Sequence, residues 1–194
     1  MTKINIQFSR FSAFYTPLIA TMAGGFLTEE GLDYDWSKAA NNDAALQNLA
    51  AGTGAYVHLQ GPAPQNMEYE GVGYPVAEVG RPIGPCAFSS LAAMPEWLAT
   101  DAAKAFTRAY AKTRVWINQV SADEIAGKVA EFFPETHASV LAECIAAYQG
   151  LGNWASGVEI TEPSLAVAQD VFRFAGHIKE PYPYDVLCAH PPAV

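Results

Sequence analysis

Short alternating runs of apolar and polar residues, separated by one helical repeat, open the chain. Lys3 to Phe8 reads KINIQF, an alternation that predicts a strand with one buried face. Pro17 suits a first helical turn, because its missing N–H would have no partner there anyway. Leu18, Ile19, Met22 and Phe26 then recur at helical spacing, and Gly24-Gly25 ends or kinks that helix. Glu29-Glu30-Gly31 makes a polar exit, with Gly31 free to take positive φ. Leu32 to Trp36 alternates apolar and acidic residues, which predicts a second strand. Strand, helix, strand is a βαβ unit, and such a unit implies parallel pairing.

The same reading continues along the chain. Asn42 or Asp43 caps a helix over Ala44–Ala50, which Gly52 and Gly54 stop. Tyr56–Gln60 is expected as a third strand, broken by Gly61-Pro62-Ala63-Pro64 before a short helix over Gln65–Glu70. Val72–Glu78 and Ile83–Leu91 complete a set of five expected strands. The remainder is helical. Asp101–Val120 places Ala102, Phe106, Ala109, Thr113, Trp116, Ile117 and Val120 on one face. Ser121 and Glu124 form a capping box that opens another helix, ending at Phe132-Phe133-Pro134. Thr136 or Ser139 starts the next, with Val140, Leu141, Cys144, Ile145 and Tyr148. Thr161-Glu162-Pro163 starts the last, with Leu165, Ala168, Val171 and Phe172 inward and Gly176 as its stop. The expected organisation is a single domain over 1–194: an α/β sheet portion at 1–92, helices packing on it at 93–178, and a proline-rich tail at 179–194.

Composition narrows the function. The chain has 194 residues, 51% hydrophobic and 16% charged, which fits one ordered domain. Its 20 acidic residues outweigh 11 basic ones for a net charge of −9. No basic stripe exists to displace counterions, so nucleic-acid binding is excluded. Cys86, Cys144 and Cys188 form no CxxC pair, and the four histidines show no metal-ligand spacing. No stretch approaches the roughly 20 apolar residues of a membrane span. Met1-Thr2-Lys3 runs into a strand without an apolar leader core, so the chain as written is expected in the cytoplasm, or in the periplasm if a leader was removed. There is no phosphate loop, GxSxG, HExxH or dinucleotide fingerprint.

The run Gly25-Phe26-Leu27, Glu29-Glu30-Gly31-Leu32-Asp33 after a proline-initiated helix resembles the first βαβ unit of the NMT1/THI5-like family. Ala44–Tyr56 and Trp97–Phe133 agree in order. The family comprises type-2 periplasmic-binding-protein folds, including solute-binding proteins of ABC transporters for nitrate, sulfonate and thiamin-pyrimidine, with a few enzymes. The resemblance implies an α/β fold: one lobe, with a mostly parallel sheet of about five strands flanked by helices and a helical C-terminal half. It covers the first lobe and the C-terminal helices, and most of the second lobe is absent.

In an open parallel sheet, loops at the carboxyl ends of strands line the binding crevice. That places Ser9, Arg10, Phe11 and Phe14 after the first strand, Asn42 after the second, and Gln60, Gly61 and Gln65 after the third. Arg10 is suited to a carboxylate or phosphate beside a helix N-terminus, or is an ordinary surface arginine. Phe11, Phe14 and Tyr15 stack on a flat ligand or pack under the loop. His58 draws interest because pyrimidine-synthesising relatives use a histidine; the competing reading is a core histidine. Cys86 is a weak nucleophile candidate that would need a nearby base or helix N-terminus.

Three functions follow. The first is a binding module for a flat or anionic small molecule, completed by self-association or a partner chain. The second is an enzyme or enzyme subunit of the thiamin-pyrimidine-synthase or decarboxylase-like type, although the synthase's cysteine-rich motif is absent. The third is an interaction protein that has lost its ligand. No cofactor is named by any motif.

Overall fold

The computed structural model describes residues 1–8, 12–40, 44, 84–87, 89–155 and 157–192. Strand β1 (Thr2–Phe8) and strand β2 (Leu32–Lys38) pair in parallel, with Thr2 opposite Leu32 and Phe8 opposite Lys38. Between them run a 3₁₀ turn (Ala13–Tyr15), helix α1 (Thr16–Ala23) and the single-turn helix α2 (Phe26–Glu29). The helical part comprises α3 (Pro95–Leu98), α4 (Asp101–Trp116), α5 (Ala122–Val129), a 3₁₀ turn (Ala130–Phe132), α6 (Ala138–Leu151), α7 (Glu162–Phe174) and α8 (Tyr184–Leu187). Among the described residues the architecture is mixed α/β with a two-stranded parallel sheet. No helix among them is long and apolar enough to cross a membrane.

The alternation in the strands does what its period requires. Ile4, Ile6, Phe8 and Leu32 are buried on the inner face, while Lys3, Asn5, Asp33, Asp35 and Ser37 lie exposed on the outer one. α1 lies in the crossover, with Leu18, Ile19 and Met22 buried. Its far side is closed by α4 and α5, and α6 packs on α5. Ala105, Phe106, Ala109, Ile117, Ile125, Val129, Val140, Leu141 and Ile145 join the strands in one apolar cluster. Between α1 and α2 a side chain at Gly24 would meet the Ala20 carbonyl oxygen at 2.6 Å and the Phe26 ring at 2.7 Å. Gly31, at φ 75°, makes the turn into β2 that the sequence expects.

Caps hold the helix starts. The side chains of Thr100, Ser121 and Thr161 accept hydrogen bonds from the N–H groups of Ala103, Glu124 and Ser164. α6 starts differently from expectation: neither Thr136 nor Ser139 caps it, and the His137 ring accepts from the Ser139 N–H.

Two further expectations change. The helix over 44–50, the strands over 56–60 and 72–78 and the helix over 65–70 lie outside the described residues, apart from Ala44, which is helical. Ile83–Leu91 is no strand where it is described. Gly84 takes φ 76°, Pro85 has no N–H for a ladder, and the Ala87 N–H donates to the Ser164 carbonyl at the start of α7. On α7, Ala168 is buried as expected, whereas Val171 and Phe172 stand 46% and 41% exposed. The tail returns to α7: the Gln169 side-chain amide donates to the Tyr182 carbonyl at 3.0 Å and accepts from the Tyr182 N–H at 2.6 Å.

An ion-pair network joins the crossover to the helices. Lys112 Nζ and Arg108 Nε, one turn apart on α4, each donate to the Glu30 carboxylate at 2.6 Å. Glu30 is only 11% exposed, and its partners are roughly half exposed. The bond from Lys112, and then that from Arg108, hold the Glu30 carboxyl below its ordinary value of 4.5. A depressed carboxylate stabilises the fold above its unfolded pKa and loses that contribution as pH falls through its folded one. Glu30→Gln is therefore expected to lower unfolding free energy by about 1 kcal/mol at about pH 7, with the difference vanishing at acid pH once the carboxylate is protonated in both states. Urea unfolding of both proteins at the two pH values checks this. An equal difference at both would show that the charge is not what matters.

Candidate functional site

The carboxyl ends of β1 and β2 leave the sheet at one edge, and the Ala39 N–H extends the ladder by donating to the Phe8 carbonyl at 2.7 Å. Ser12 resumes the chain after β1. Its hydroxyl accepts from the Phe14 N–H and caps the 3₁₀ turn, and it also hydrogen-bonds Tyr148 of α6. The Phe14 ring meets the Tyr148 ring edge-on at 5.5 Å, and Tyr148 stacks on Trp154 at 5.5 Å. The Trp154 indole N–H donates to the Phe14 carbonyl at 3.1 Å, across 140 residues of sequence. Trp154 is 1% exposed. Asn118 donates to its carbonyl, and Arg114 donates to the carbonyl of Ala155 at 2.7 Å. Gln149 of α6 in turn donates to the carbonyls of Ile117 and Val120 beyond α4.

This column ties the turn after β1 to α4 and α6. Phe14 is half-buried with its ring edge-on to both Tyr15 and Tyr148, and Tyr15 is 1% exposed. Thr16, at the start of α1, is fully buried, so the first turn of that helix does not face solvent. Burial pushes the Tyr148 phenol up from its ordinary value, partly offset by its Ser12 hydrogen bond, so it stays a neutral hydroxyl at physiological pH.

Of the sequence-derived site residues, Ser9, Arg10, Phe11, Asn42, Gln60, Gly61, Gln65 and His58 lie outside the described residues. Cys86 is half-buried near the start of α7, and burial pushes its thiol up. A nucleophile needs the opposite shift. Cys144 is raised further, to about 11, by burial and then Glu143. Among the described residues no three His, Cys, Asp or Glu side chains are grouped to hold a metal.

A shallow concavity lies against the paired strands. Asn5, Ile6, Gln7, Asp35, Trp36 and Ser37 line a depression of about 160 Å³. Gln7 donates to the Ser37 hydroxyl at 3.1 Å, and Lys3 pairs with Asp35 at 2.9 Å. The sequence reading passed over Asn5, Gln7, Asp35 and Ser37, although their register was legible: the alternation of KINIQF and LDYDWSK sets these four on one face, with Ile6 and Trp36 turned to the other. The depression falls below the roughly 300–1,000 Å³ of ordinary ligand pockets, so it does not serve as a ligand site by itself.

The described geometry is a parallel βαβ unit with helices packed behind it. No family model matches the chain. It is similar to the Bacillus subtilis (strain 168) protein named "Putative binding protein YtlA", with 27% identity over 141 residues. That match covers 72% of this chain and 42% of the relative, so the chain spans less than half of that protein's length.

Removing the Trp154 ring opens a cavity under the turn after β1. Trp154→Ala is expected to cost about 3–5 kcal/mol, and Trp154→Phe, which keeps most packing but strands the Phe14 carbonyl, about 1–2 kcal/mol. Denaturant titration of both variants checks the ranking; equal losses would mean that the indole hydrogen bond contributes nothing.

Proposed function

We propose that the chain is a small-molecule binding module of the NMT1/THI5-like kind, a single lobe whose ligand sits at the carboxyl ends of its strands. The observation that carries this is the in-register parallel pairing of β1 and β2, which sends the loops after both strands out of the same edge. Likeness to a protein named as a binding protein supports the same class. In this reading Ser9, Arg10 and Phe11 after β1 and Asn42 after β2 face the ligand, with Gln60, Gly61 and Gln65 completing the rim. Phe14, Tyr148 and Trp154 hold the wall behind them. Arg10 supplies the charge for an anionic group, and its fork suits a planar carboxylate, nitrate or sulfonate. One lobe leaves a ligand about half exposed, whereas good sites bury ~70–90% of it. A second copy or a partner chain therefore supplies the facing wall.

The test is a thermal-shift panel of nitrate, short alkylsulfonates and aminopyrimidines on wild type and Arg10→Ala. A ligand at about 100 times its Kd adds about 2.7 kcal/mol, which is about 5–10 °C in Tm for a chain of this size. At least one compound is expected to give such a shift in wild type and none in Arg10→Ala. No shift with any compound, or a shift that survives the substitution, refutes the assignment.

A further inference from the structure

We draw no further inference here: the strongest candidate, the set of exposed apolar side chains on α7 and α8 at the C-terminal end of the chain, carries nothing because nothing in the structure shows what covers it.

Discussion

Two parallel strands cannot be joined by a tight turn, and much of this molecule follows from that restriction. The chain leaves β1 at one edge and must return to the opposite edge before β2 can start. The return path is α1 and α2, which lay their apolar face on Ile4, Ile6, Phe8 and Leu32. That helix layer has a second side, and α4 and α5 cover it, with α6 behind α5. Two polar fastenings then fix the helices to the crossover at opposite ends. Glu30 meets Arg108 and Lys112 where the chain enters β2, and Trp154 meets Phe14 where it leaves β1. Cys144 of α6 is buried in this core with its thiol held protonated, a small apolar filler.

How much of this was legible depended on the range of the physics involved. β1, β2, the break at Gly24-Gly25 and the caps at Ser121 and Thr161 are local matters of alternation, backbone freedom and side-chain oxygen, and they read correctly from sequence. The cap of α6 did not, because histidine is an unusual acceptor at that position and Thr136 and Ser139 were the ordinary choices. Val171 and Phe172 were expected inward because periodicity reports which residues share a face, not whether anything covers it. The run at 83–91 was apolar enough for a strand, but Gly84 and Pro85 deny it a ladder, and Ala87 spends its N–H on α7.

Of the residues expected at strand ends to line a ligand, Phe14 alone lies among the described residues, half-buried in the 3₁₀ turn after β1. Its environment is set by Tyr148 and Trp154, more than 130 residues away in sequence, and no spacing rule could have joined the three. The polar row of Asn5, Gln7, Asp35 and Ser37 was overlooked for a different reason. Parallel sheets in α/β proteins are ordinarily covered on both faces, so attention went to the ends of the strands and not to their flat side.

The clasp between Gln169 and Tyr182 bears on how the C-terminal arm can change in length. Tyr182 stands between Pro181 and Pro183, and proline has no N–H. A slip of one residue in either direction would present the Gln169 amide with a residue that has nothing to donate. The seating of the arm is therefore fixed by chemistry at one point, while Ile178 and Lys179, past the backbone bonds of Ala175, Gly176 and His177 to α7, carry no such requirement. Closing a longer loop there costs little, about 0.6 kcal/mol for each doubling of its length. Insertions in that stretch would be tolerated, with the same tyrosine returning to the same glutamine.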